Sequence, residues 1–464
     1  MIKKHIKGVV LLGVILSMGL TSCQLTNKYQ TPETDPTGLF RGENPTDTTT
    51  IANIPWKEYF TDPVLQALID EGLNNNYDMR IVAERIKQAE AALGMARAAY
   101  FPSLALAGNF THTRFSNGAR GKDVLGYHAN EYMVGLTASW EIDVWGKLNR
   151  QSKSKYADML NSYEGRNLMQ TSLISNIANT YYSILALDEQ LRVTQDMIAL
   201  MEESLSMMEQ LWEAGLTNRA GLEQMKASIY SAKISIPDMD NNIRQLENSI
   251  CLMLGRKPGS ITRTTLKEQY VPTQLAHGVP AQMLAKRPDV KQAELSFRSA
   301  FELTNAARAS FYPSINITSA SIGYAGALFK PENLAANIIG SIAQPIFAKK
   351  QLTTQLKVAK AEEQAALLTF EKTVLSAAKE VSDILYTYET SMSKNQDRGN
   401  QVESLTKAVS DTKDLFAGNE VSSYLEIINA QQSLLQARLS QVSDKLQQLQ
   451  ATSDLYRALG GGTN

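Results

Sequence analysis

Chemistry in this chain would have to come from very few reactive side chains. Its 464 residues hold two cysteines, Cys23 and Cys251, and four histidines, all far apart. That spacing nearly excludes a disulfide scaffold or a Cys/His metal cluster. There is no Walker loop, no HExxH, no GxSxG and no strand-linked GxGxxG. No nucleophile-base constellation stands out either, so the expectation is a protein that is no enzyme and needs no cofactor or metal. Hydrophobic residues make up 43% and charged residues 20%, enough for a sizeable core and against disorder. A formal net charge of −1 provides no basic excess for nucleic acid.

The one cysteine with an implied chemistry is Cys23. Lys3, Lys4 and Lys7 precede an apolar run over 8–20, too short for a permanent bilayer helix of about 20 residues and fit for a secretory signal. Leu20-Thr21-Ser22-Cys23 has the pattern of the bacterial lipobox. In that motif the cysteine becomes the lipid-bearing mature N-terminus. The expectation is a signal peptide over 1–22, lipidation of Cys23, and an extended N-terminal segment over 23–60. Gln24 rather than Asp follows, which by resemblance to such motifs favours the outer membrane. Removing the signal leaves 43 basic residues against 47 acidic ones. Cys251 then lacks a disulfide partner and reads as a small buried hydrophobe. No later segment offers about 18 consecutive apolar residues, so any membrane crossing must use strands.

The rest of the chain is written twice. Residues 78–104 and 289–315 match at a shift of 211, with Asp78, Ala89 and Arg97 falling on Asp289, Ala300 and Arg308. Pro102-Ser103 falls on Pro313-Ser314. Later, Gly215, Leu222, Glu223 and Ala227 match Gly418, Leu425, Glu426 and Ala430 at a shift of 203. This sets repeat one at 61–270 and repeat two at 271–464. Each begins with a helix (about 78–99 and 289–309), with Asp78 and Asp289 as expected N-caps, and each helix stops at proline. Strand stretches follow at 103–115 and 131–142, then at 314–326 and 334–345. A helical pattern then runs over 147–214 or 349–417, turns at a glycine, and returns. Lengths near 68 residues would reach about 100 Å and imply helices packed along one another. From Leu352 to Met392 the apolar stripe recurs about every 3.64 residues, nearer a straight helix than a supercoiling heptad.

The strand stretches alternate. Tyr132, Val134, Leu136, Ala138 and Trp140 share one face, and Met133, Gly135, Thr137 and Ser139 the other, as in a transmembrane barrel strand. Four strands cannot close a barrel, and open edges in lipid leave backbone groups unpaired. If these strands span, several copies must pool them. Tyr100, Phe101, Trp140, Trp145, Phe311, Tyr312 and Phe347 near the strand ends fit either an interfacial belt or strand-end packing.

These residues carry a resemblance. Leu20-Thr21-Ser22-Cys23, Trp140-Glu141-Ile142-Asp143-Val144-Trp145-Gly146, Lys286-Arg287-Pro288-Asp289-Val290, Ala309-Ser310-Phe311-Tyr312-Pro313-Ser314, Gln344-Pro345-Ile346-Phe347 and the stretch from Tyr424 to Ser433 run in order over essentially the whole chain. The sequence resembles the TolC-like outer-membrane efflux factors, in the lipoprotein branch serving resistance-nodulation-division (RND) pumps. The resemblance implies a mainly α protein with membrane β-structure. Its homotrimer would share a twelve-stranded barrel, with four strands from each copy, above a long helical tunnel. It implies a passive exit duct for small molecules, joined to a periplasmic adaptor and an inner-membrane RND transporter. The helix turns at 212–222 and 415–424, with Gly215 and Gly418, would meet the adaptor. Position by position, the tunnel constriction falls on Leu425, Asn429 and Gln432, where two family charges are replaced by amides. Glu426, with Glu223 as its counterpart, would add an acidic ring that attracts cations. The alternatives are a type I secretion channel and an anchored structural coiled coil.

Overall fold

The computed structural model describes residues 27–33, 50–114, 128–215, 218–272, 286–325, 331–417 and 424–463. Cys23, Gly418 and the signal region lie outside them. In chain order the main elements are α1 (Pro63–Asn75), α2 (Tyr77–Ala98), β1 (Ser103–Arg114), β2 (His128–Ile142), α3 (Lys147–Glu213), α4 (Arg219–Met253), α5 (Pro288–Ala309), β3 (Ser314–Ala325), β4 (Leu334–Ala343), α6 (Gln351–Ala417) and α7 (Tyr424–Ala458). Helix, two strands, long helix and returning helix thus occur twice. The long helices α3 and α6 span 67 described residues each.

The helix starts differ from the expected caps. At α2 the cap is Asn76, whose Oδ1 accepts from the Met79 amide at 3.1 Å, while Asp78 sits inside the first turn. At α5 the Arg287 carbonyl accepts from Lys291 at 3.2 Å, and Pro288 fills the first helical position, where its missing N–H costs nothing. Asp289 is committed instead to the Arg287 guanidinium and to the Val290 amide. The strands also shift at their ends. β2 starts at His128 rather than 131, and β4 stops at Ala343, before Pro345. Pro237 lies inside α4.

The chain forms two compact units. The first contains the described residues of Met1–Glu33 with Ile86–Ser162 and Ala293–Phe370; the second contains those of Thr34–Arg85, Tyr163–Gln292 and Glu371–Asn464. Each draws on both repeats.

In the first unit the strands form one antiparallel sheet in the order β1-β2-β3-β4. The central β2–β3 pair therefore joins the two repeats. Leu106 lies opposite Leu136, Leu136 opposite Ile322, and Ile322 opposite Ala336. Because side chains alternate, a single apolar face results. The pairing shifts at Ala138/Trp140 and at Ile317/Ser319, which increases local twist.

In the second unit the helices pack around Ile174, Ile177, Leu185, Leu65 and Leu455, all essentially buried. The stripe expected along α6 holds: Ala359, Phe370, Val374, Ala377, Val381 and Tyr388 are buried, and its other members are half-buried. An apolar residue every 3.64 positions keeps one helix face turned inward.

Candidate functional site

Two regions have the makings of a site. One is the sheet. Its apolar face is open: Leu104, Leu106, Phe110, Leu136, Ile322, Ile338 and Ile342 are exposed, with Leu106 at 75% and Ile338 at 76%. The opposite face carries Ala107, Asn109, Met133, Gly135, Thr137, Ser321, Gly323, Ala335 and Asn337, around a hollow of about 210 Å³ that Ile322 and Tyr324 also line. Water-facing sheets bury their apolar side. This one leaves its apolar side open, while its other face is built mostly of small and polar residues together with Met133, the alternation of a strand between lipid and lumen. At the strand ends the indoles are engaged. Trp140 donates to the Tyr100 carbonyl at 2.8 Å and Trp145 to the Pro313 carbonyl at 2.7 Å. Phe101 and Phe347 are exposed. Strand-end packing thus holds for Trp140 and Trp145.

The second region is the turn end of the helices. Met197, Met201, Met208, Leu222, Met225, Ile229, Val409, Ile427, Ile428 and Leu434 form one core. Gly215 has φ of +73°, the left-handed conformation that glycine adopts without steric cost. Asn218 caps α4, its Oδ1 accepting from the Gly221 amide at 3.0 Å. Tyr424 lies flat against Gly221, since a Cβ there would stand 2.6 Å from the ring.

Leu425, Glu426, Asn429 and Gln432 all lie on the exposed face of α7, opposite buried Ile427, Ile428 and Gln431. The expected constriction residues are thus brought onto one surface by helical spacing. Gln432 is not free: its Nε2 donates to Ser228 Oγ of α4 at 3.0 Å. Glu223 is exposed on α4, 3.9 Å from Arg219. Sequence reasoning missed Gln431, which is 1% exposed and donates to Ser204 Oγ at 2.8 Å. Its only signal was a polar residue at a core position of the stripe. The helices are further tied by Lys226–Glu209 at 3.2 Å, Lys233–Glu202 at 2.6 Å and Lys413–Glu203 at 2.7 Å.

Two buried polar clusters hold the second unit. Asp62 Oδ1 caps α1 through Val64 at 2.8 Å, and its Oδ2 accepts from Tyr181, Thr264 and Gln269 at 2.9, 2.6 and 2.7 Å. Burial opposes its charge, but the donors from Thr264, Gln269, Tyr181 and Val64 outweigh it and hold the carboxyl below its usual range. Arg287 donates to Asp289, to Glu380 and to the Ala458 carbonyl. Its guanidinium is desolvated, yet the two carboxylates raise its pKa. Cys251 is buried and points its thiol at the Gly259 carbonyl. Among the described residues no helix is long and apolar enough to cross a membrane, and no His/Cys/Asp/Glu group is arranged to hold a metal.

A duplicated, mostly helical chain with 67-residue helices and one lipid-type sheet has the architecture of the TolC-like channels. The comparisons agree. The family model for outer membrane efflux proteins matches residues 68–256 and 279–461. The chain is 30% identical to the probable outer membrane lipoprotein SilC of Salmonella typhimurium over 88% of both chains. It is 29% identical to the solvent efflux pump outer membrane protein SrpC of Pseudomonas putida over 96% of both. Its fold matches the open-state MtrE outer membrane channel of Neisseria gonorrhoeae with a TM-score of 0.82 at 26% identity, covering 95% of this chain and 98% of that one. The chain belongs to the outer membrane efflux protein family.

Proposed function

We propose that the protein is the exit duct of a tripartite efflux system, passively conducting small molecules out through the outer membrane. Three copies pool their strands into one twelve-stranded barrel, and their long helices enclose a periplasmic tunnel. The observation that carries this reading is a sheet with an exposed apolar face and two outer strands, β1 and β4, at its edges. Such edges demand partners in lipid, and a second copy supplies identical ones. Energy comes from an inner-membrane RND transporter, and a periplasmic adaptor meets the turns around Gly215 and Gly418.

Cys23 carries the lipid anchor in this reading. The N-terminal strand of chain is held along α5: the Asn27 amide donates to Asn305 at 3.3 Å, and Tyr29 packs edge-on against Phe301 at 5.6 Å. Four residues from Asn27 to Cys23 reach about 14 Å, enough to bring a lipid toward the start of β3.

The constriction is the α7 face. Leu425, Asn429 and Gln432 narrow the tunnel, and Glu426 and Glu223 give it negative charge. Amides replace the family's charged pairs, so closure rests on hydrogen bonds such as Gln432–Ser228. The test is reconstitution of the purified, detergent-solubilised protein in planar bilayers, with its mass measured in parallel. Discrete, voltage-tolerant conductance from a trimer is expected. A monomer without conductance would end the proposal.

A further inference from the structure

In the second unit, residues 266–271 and the middle of α7 border a cavity of about 470 Å³, the size of a small-molecule site. The ammonium groups of Lys267 and Lys445 line it, together with the amides of Asn395 and Gln441. Tyr270, Val271 and Val442 give it an apolar wall. The segment that carries Lys267 and Tyr270 is held in place by Gln269, whose Nε2 donates to Asp62 at 2.7 Å and to Thr264 at 2.9 Å.

The charges around this cavity do not balance. Among the described residues Glu189 is the one carboxylate in its lining. That group already receives the Arg192 guanidinium through two bonds of 2.6 and 2.9 Å, and Lys267 approaches it only to 3.7 Å. Asp188 and Glu247 are both matched by Arg263, at 2.5 Å each. Among the described residues Lys445 has no carboxylate at ion-pair distance, and its Nζ donates to the Lys267 carbonyl at 3.3 Å. Burial lowers the pKa of this half-buried lysine; Glu189 acts against that, and the Lys267 charge adds to it. A desolvated cation without a counter-charge is costly, and an anion entering the cavity removes that cost.

The cavity also lies across α7 from the candidate constriction. Gln441, Lys445 and Gln448 follow Gln432 by 9, 13 and 16 residues, which is about 2.5, 3.6 and 4.4 helical turns. Their side chains therefore leave α7 roughly half a turn away from Gln432. We infer that this cavity binds a small organic anion, a carboxylate with an apolar body, its charge on Lys445 and Lys267 and its body against Tyr270, Val271 and Val442. Such a ligand sits away from the face of Leu425, Asn429 and Gln432, so it is not cargo passing that face. One chain supplies the whole site, and the inference stands apart from the number of copies and from the duct.

The experiment uses the full-length protein in detergent at physiological salt. The probe is 2-naphthoate, with 2-naphthamide as its neutral counterpart, and binding is read by equilibrium dialysis against protein-free micelles of the same detergent. Saturable binding of naphthoate is expected, about tenfold tighter than that of the amide. Lys445→Gln should remove that preference, and Lys267→Gln should reduce it severalfold, with amide binding unchanged in both. The Lys267 side chain is 71% exposed, so this second variant keeps the fold if the first does not. A readout without any variant is acylation of lysines followed by mass spectrometry of the peptides: naphthoate should protect Lys445 and naphthamide should not. Equal binding of acid and amide by the wild type overturns the inference. So does a preference for the acid that persists in a folded lysine variant, because the anion would then be held elsewhere.

Discussion

Gly135 and Gly323 face each other across β2 and β3 so closely that neither has room for a side chain. They are paired in register, and a Cβ on Gly135 would stand 2.7 Å from the Gly323 Cα, while one on Gly323 would stand 2.5 Å from the Gly135 Cα. Both groups in the way are backbone and cannot rotate aside. The pair lies at the seam between the repeats, and both glycines line the hollow.

Gly135→Ala should therefore destabilise the barrel strands by about 1–3 kcal/mol, the usual cost of overpacking. The check is the temperature at which the detergent-resistant oligomer converts to monomer on a gel. Gly108→Ala is the control, since its nearest neighbour would be the Val134 side chain at 3.7 Å. Equal melting of the two variants would contradict the close approach.

Asp62 should make the second unit acid-labile. Its folded pKa is depressed, so its contribution is complete above the ordinary aspartate value near ~4 and is lost as pH falls through the lowered folded value. Asp62→Asn should cost about 1–3 kcal/mol at neutral pH by leaving donors unmatched. It should also flatten the acid limb of stability. Helical circular dichroism during thermal melts from neutral pH to pH 3 would show both effects.

Arg287 is 5% exposed, and its partners are Asp289, Glu380 and a helix-end carbonyl. Arg287→Met strips a partner from a buried charge group, which costs about 3–5 kcal/mol. Arg287→Lys should recover only part of that, because an ammonium cannot reproduce the planar fork. The ordering wild type, Lys, Met in melting temperature is the expected result.

Single-channel recordings address the constriction. Glu426→Gln should reduce the preference for cations over anions, because three carboxylates would be removed from one ring of the proposed trimer. Asn429→Ala should raise conductance by widening the same level. Unchanged selectivity and conductance in both variants would remove these residues from the constriction.

The legible parts of this protein were its local patterns. The stripe from Leu352 to Met392 became an inward face, and the alternation of β2 became the two faces of a sheet. The stops at Pro102 and Pro313 lie just before β1 and β3. Illegible were the choices that depend on a distant partner. Asn76, not Asp78, won the cap because its neighbours position it to reach Met79. Gln431 reads as an ordinary polar residue until Ser204 is seen beside it.

Periodicity, duplication and the lipobox pattern at Cys23 are properties of neighbouring residues, so the chain alone determined its element types, its doubled grammar and its family. The pairing of β2 with β3, the meeting of Gly135 with Gly323 and the capture of Arg287 by Glu380 are contacts across long sequence separation. They depend on which surfaces exclude water together and which charges must be matched once water is gone. Only the folded arrangement decides that.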